Sequence, residues 1–129
     1  MQKTDTPISS FTQLIVWQKG HTLVIQVYEL TRKFPKEELF ALTTQIRRCV
    51  VSITSNIAEG FSRRSVKDKS HFYTIALGST TELQNKLLIA RDLGYLDKQL
   101  FEELAILSIE VNKMINGLIK KTTNNSLDS

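Results

Sequence analysis

Four successive stretches of the chain carry apolar side chains at three- and four-residue spacing, and that period admits little besides amphipathic α-helices packed on one another. In residues 13 to 33 the stripe is Val16, Gly20, Leu23, Val27 and Leu30, running on to Phe34. The helix is expected to stop near Phe34, because Pro35 disfavours helical geometry in the residue before it. In residues 37 to 59 the stripe is Leu39, Leu42, Ile46, Val50, Ile53 and Ile57, with Gly60 placed to cap the C-terminus. A third stripe, Phe72, Ala76, Ser79, Leu83, Leu87 and Ala90, follows a capping box of Ser65 and Asp68 and ends at Gly94. The fourth, capped by Asp97, places Leu100, Leu104, Leu107, Val111, Met114 and Leu118 at heptad core positions.

Four such helices, roughly 21 to 28 residues or about 30 to 40 Å long and joined by short connections, predict an all-α fold, an antiparallel up-and-down four-helix bundle. The 129 residues suffice for one such domain. The expected organisation is a flexible N-terminal segment over residues 1–10, the bundle over 11–121 and a frayed polar tail over 122–129.

More apolar residues are present than one bundle core requires. Trp17, Val24 and Tyr28 cluster about a quarter-turn from the first stripe, with Ile25 at the edge. Ile75, Gly78 and Ile89 flank the third stripe, and Phe101, Ile115 and Ile119 the fourth. Leaving large apolar side chains in water forgoes roughly 1.5 to 3 kcal/mol each, so a second interface is expected. The residues assigned to it are Trp17, Val24, Tyr28, Ile75, Gly78 and Ile89, with Gly78 permitting close backbone approach. Bundle distortion that buries them within one subunit is the alternative.

Charge is concentrated rather than large. The formal net charge is +4. Arg47, Arg48, Arg63, Arg64, Lys67 and Lys69, set against Glu59 and Asp68, account for all of it. A basic patch at the junction of the second and third helices is an electrostatic footprint for RNA or DNA phosphates, with binding that falls steeply with salt. A solvated, solubilising loop is the other reading, since only Phe61 and Phe72 offer aromatic rings nearby. On the second helix Gln45, Arg48, Ser52, Asn56 and Glu59 form a polar stripe within about 80° on the wheel. That stripe can make inter-helix hydrogen bonds, line a channel in an oligomer, or face water.

No motif announces catalysis. Glycine-rich phosphate loops, HExxH and Gly-x-Ser-x-Gly are absent from the sequence, and His21 and His71 fall on different helices. The expectation is a chain that is not an enzyme, with no catalytic residues, metal or cofactor. Cys49 borders an apolar face and reads as packing. It has no second cysteine to pair with, and the chain shows no span-length apolar run or signal-peptide pattern, so a cytoplasmic protein with no membrane contact is expected. Asn124-Asn125-Ser126 matches a glycosylation acceptor, which carries little weight without a secretion signal.

Three segments carry a family resemblance: VWQKGHTLV at Val16 to Val24, LTTQIRRCVVSITSNIAEG at Leu42 to Gly60, and IALGSTTELQNKLLIARDLGYL at Ile75 to Leu96. They resemble the bacterial four-helix-bundle proteins encoded in intervening sequences of 23S ribosomal RNA genes, over about Phe11 to Lys121. Gly20 and Cys49 stand where that pattern usually has alanine, and Ala41 and Thr44 where glycine and serine are common. The resemblance implies a homopentamer, similar to the accessory variability determinant proteins of diversity-generating retroelements, which bind nucleic acid and a reverse transcriptase through a basic surface. It carries Gln45, Arg47, Arg48, Asn56, Glu59, Arg63 and Arg64 onto the family pattern and assigns none of them catalysis. The reading that results is a non-enzymatic, self-associating bundle that binds RNA or DNA. The alternative is a scaffold that docks a partner protein such as a polymerase, with no nucleic-acid role.

Overall fold

The computed structural model describes residues 7–128 of the chain. Among them are four long helices, α1 (Ile15–Thr31), α2 (Thr44–Ser62), α3 (Val66–Asp92) and α4 (Lys98–Asp128), each packed on the next, with α4 closing back on α1. This is the antiparallel up-and-down bundle that the apolar stripes predict. No helix among the described residues is long and apolar enough to cross a membrane.

Local chemistry sets most of the helix ends. Before α1, a 3-10 turn (Phe11–Gln13) is closed by a capping box. In it the Ser10 hydroxyl accepts from the Thr12 amide, and the Gln13 side chain accepts from the Ser9 and Ser10 amides at 2.8 and 3.0 Å. Ser9 and Ser10 are thereby tied to the bundle, while residues 1–6, the larger part of the segment expected to be flexible, lie outside the described residues. Ser65 caps α3 through the Asp68 amide, and Asp97 caps α4 through the Leu100 amide at 2.8 Å. Gly94 ends α3 as expected: it takes φ +81°, and the Tyr95 amide reaches back to the Ala90 carbonyl at 2.9 Å.

The second helix departs from expectation at both ends. Residues 37 to 43 do not continue it. A 3-10 turn (Lys36–Glu38) is followed by a π turn (Leu39–Thr43), and the helical path breaks at Ala41, with φ −125° and ψ −105°. Side chains occupy the backbone groups there: the Glu38 carboxylate accepts from the Leu42 amide, and the Thr44 hydroxyl donates to the Leu39 carbonyl. The break turns Phe40 outward and leaves Leu39 exposed rather than in the core. At the far end Gly60 is a buried residue inside the helix rather than its cap, which is Arg63 in extended conformation.

The core contains the whole predicted first stripe, then Leu42 from the π turn and, on α2, Ile46, Val50, Ile53 and Ile57. On α3 the buried residue near the start is Tyr73, with Phe72 only half-buried, and Ala76, Ser79, Leu83, Leu87 and Ala90 follow as expected. On α4 the buried row is Leu104, Ser108, Val111 and Ile115. Leu107, Met114 and Leu118 are at its flank, and Leu100 is exposed. Ile115 is therefore a core residue, not part of the apolar surplus. The polar run from Thr122, set apart in the sequence as a frayed tail, continues α4 as helix to Asp128, and Ser129 lies outside the described residues.

Candidate nucleic-acid interface

The six cations do not form one cluster. Arg47 and Arg48 lie in the first turn of α2, and Arg63 follows its last residue, so the two groups are separated by the helix length, about 24 Å at 1.5 Å per residue. Contiguity in sequence along a straight helix produces two sites at opposite ends of the bundle.

Arg47 is built into the subunit. Its Nε donates to the hydroxyl of buried Thr31 at 2.8 Å, and its guanidinium lies 4.7 Å from the centroid of the Tyr28 ring. Thr31 in turn donates to the Val27 carbonyl at 2.8 Å. The arginine thus clamps α2 to α1. Arg48 is exposed.

At the other end, the chain leaves α2 at Ser62, passes through extended Arg63 and re-enters helix at Val66. Lys69 folds back over the exit of α2, donating to the carbonyls of Gly60 at 3.3 Å and Phe61 at 2.8 Å. It thereby satisfies the Phe61 carbonyl at the helix end and adds a second donor to the Gly60 carbonyl, which also accepts from the Arg63 amide at 3.2 Å. Partial burial in this position lowers the Lys69 pKa. Arg63 pairs with Glu59 at 2.9 Å and stacks on Phe72 at 4.7 Å. Arg64 and Lys67 are exposed and make no ion pair among the described residues. Of the four cations at the junction, these two carry the uncommitted charge.

Two further basic residues belong to this end. Asn112 of α4 donates to Thr80 of α3 at 2.6 Å, and continuing that antiparallel register brings exposed Lys120 and Lys121 to the axial level of the first turns of α3. Fifty residues separate them in sequence from the Arg63–Lys69 run, so only the pairing of α3 with α4 reveals the neighbourhood.

The polar stripe of α2 divides. Gln45 is exposed, and Glu59 is engaged with Arg63. Ser52 turns toward α3, its hydroxyl 2.8 Å from that of Ser79, while Asn56 bonds within α2, its Nδ2 donating to the Ser52 carbonyl at 2.8 Å. Adjacent residues on α3, Ser79 and Thr80, therefore fasten it to α2 on one side and α4 on the other. Inter-helix bonding, one of the readings open in the sequence, describes Ser52.

The residues assigned to a second interface also divide. Trp17 is edge-on to Phe11 at 5.3 Å and stacked on His21 at 4.8 Å. Val24 and Tyr28 are half-buried against the core, Tyr28 beneath Arg47. Ile75 and Ile89 stay about 40% exposed, and nothing comes within 4 Å of a Cβ built on Gly78. Of the residues assigned to the second interface, those left uncovered are thus on α3.

Cys49 is half-buried; burial raises its thiol pKa and favours the neutral thiol, outweighing Lys86, which pulls the other way. Among the described residues no group of three or more His, Cys, Asp or Glu side chains is arranged to hold a metal ion.

A protein-family model described as 23S rRNA-intervening sequence protein matches residues 12–117. No curated protein matches the chain. Among solved structures, a protein of unknown function from the S23 ribosomal protein family of Bacteroides thetaiotaomicron VPI-5482 is 26% identical. It superposes with a TM-score of 0.77 over 82% of this chain and 96% of that one.

Proposed function

Because the chain belongs to the 23S rRNA-intervening sequence protein family, we propose that it is a non-enzymatic, cytoplasmic, homo-oligomeric bundle that contacts RNA or DNA through the basic end at the α2–α3 junction. The observation that carries this reading is the exposure of Arg64 and Lys67 without acidic partners among the described residues. Arg63 lies beside them, and Lys120 and Lys121 add positive charge at the same end of the bundle. Such a surface attracts phosphates without reading bases, so affinity comes from counterion release and little sequence preference is expected.

Self-association through the uncovered α3 face around Ile75, Gly78 and Ile89 would repeat the basic end once per subunit. A pentamer, the assembly implied by the family resemblance, would present five copies to one polymer and gain avidity. The resemblance to proteins that bind a reverse transcriptase suggests a partner-docking scaffold as a second reading. A small apolar groove between α3 and α4, lined by Leu87, Leu88, Phe101, Ala105 and Ile109, favours it.

Charge reversal separates the two. Arg63→Glu with Arg64→Glu should abolish retention of RNA on the protein while leaving the oligomer mass unchanged. Unchanged retention would favour the scaffold.

A further inference from the structure

Beside the start of α2 lies a cleft of about 430 Å³ lined by Tyr28, Thr44, Arg47, Arg48, Val51 and Ser52. It is distinct from the basic end described above, and none of its lining residues is acidic. From its composition we infer that it is a binding site for a phosphomonoester, carried either by a free nucleotide or by the 5′ end of a nucleic acid.

The free donors decide what the cleft can hold. The Thr44 hydroxyl donates to the Leu39 carbonyl, and the Ser52 hydroxyl is engaged with Ser79 and Asn56. Arg47 has spent Nε on Thr31 and one face on Tyr28, which fixes the orientation of the group and leaves its terminal amino groups without a carboxylate among the described residues. Arg48 is exposed and makes no ion pair among the described residues. The cleft therefore offers one immobilised and one mobile guanidinium, and a site whose geometry is held by the fold loses less entropy on binding.

Two guanidinium groups carry two positive charges, and one carboxylate matches only one of them. A phosphomonoester has three free oxygens and close to two negative charges at neutral pH, so each fork can bind two oxygens, with one shared between them, and both positive charges are matched. The volume exceeds that of phosphate alone and falls in the range of small-ligand sites. Val51 and the edge of Tyr28 provide apolar surface for the group that the phosphate carries.

The test uses the full chain and adenosine monophosphate, followed by isothermal titration and by the Arg47 Nε–H signal in nitrogen-15 NMR spectra. Saturable binding that shifts this signal is expected, with adenosine inert. Arg48→Glu should weaken it about tenfold or more and Arg47→Lys severalfold, because lysine keeps the charge without the fork. Arg48 is exposed, so its variant should fold, and thermal melting checks both. The Arg63→Glu, Arg64→Glu double variant should retain binding within about twofold, since those charges lie beyond a Debye length. A 5′-phosphorylated oligoribonucleotide that binds more tightly than its 5′-hydroxyl twin, in an Arg48-dependent way, identifies the nucleic-acid end as the source. Binding of the mononucleotide without that difference identifies a free nucleotide. Non-saturable titration, equal binding of adenosine, or equal loss in the Arg63, Arg64 control overturns the inference. None of these results bears on the basic end, which fails or stands by its own test.

Discussion

The ring of Tyr73 packs on the backbone of Gly60 so closely that a Cβ added there would lie 2.5 Å from Cε1 and 2.7 Å from Cδ1. Both residues are buried, and the ring fills the space where α2 and α3 meet near the junction. Gly60→Ala should therefore cost about 1 to 3 kcal/mol despite the better helix propensity of alanine. Urea denaturation measures the loss. In a Tyr73→Leu background the same substitution should cost much less, and an equal cost in both backgrounds would show that the ring is not the obstacle.

That packing also shows where sequence reading stops. A glycine at the end of an apolar stripe has the signature of a helix cap, and only the ring of Tyr73 on the next helix explains why it is needed in mid-helix. Phe72 rather than Tyr73 fits the third stripe by spacing, but the tyrosine is the one that reaches the glycine. On α4 the apolar residues suggest a row through Leu100, Leu104, Leu107, Val111, Met114 and Leu118, yet the buried row is Leu104, Ser108, Val111 and Ile115, the same three- and four-residue spacing turned partly around the helix. Ser108 conceals that row because it is polar; it is fully buried with its hydroxyl donating to the Ala105 carbonyl at 2.9 Å. The four helices and the α1 core were legible because each stripe is local. The assignment of Arg47 to Thr31, Lys69 to the end of α2 and Lys120 to the basic end was not, because each depends on a neighbouring helix.

Thr80 is the acceptor for the Asn112 side chain and is fully buried. Thr80→Val keeps the shape and deletes the oxygen, leaving the Asn112 amide without its partner. A loss of about 1 to 3 kcal/mol in chemical denaturation is expected. A change within a few tenths would show that water replaces the bond.

Tyr95 donates to Glu38 at 2.8 Å and so joins the two connections at one end of the bundle. That hydrogen bond, then burial and the charges of Glu38 and Glu37, raise the phenol pKa. The folded state holds the proton more tightly than the unfolded chain. The stabilisation is therefore complete below the ordinary phenol value of about 10 and is lost as pH rises through the folded value. Melting curves of the wild type and Tyr95→Phe, taken from pH 8 to pH 11, should differ at pH 8 and converge toward the alkaline end. A constant difference would remove the linkage.

Gly78 separates the subunit from the assembly. In an isolated bundle Gly78→Ala meets no atom and should add about 1 kcal/mol of helix stability. If α3 mates with a second copy here, Ile75→Glu with Gly78→Glu should reduce the mass seen by light scattering to the 14.7 kDa of one chain. Circular dichroism should show unchanged helix content. A wild type that is already 14.7 kDa at high concentration contradicts self-association.

Binding of phosphates by the basic end is tested most directly by the salt dependence of RNA affinity. Fluorescence anisotropy with a labelled single-stranded RNA should give a linear fall of log affinity against log salt concentration. Reversing Arg64 and Lys67 to glutamate should weaken binding and make that slope shallower by about 1 to 2, at roughly 0.7 for each phosphate no longer neutralised. Thermal melting should show the fold intact. Binding that is absent at low salt, or a slope identical in the wild type and the reversed protein, would contradict a phosphate-binding role for this end of the bundle.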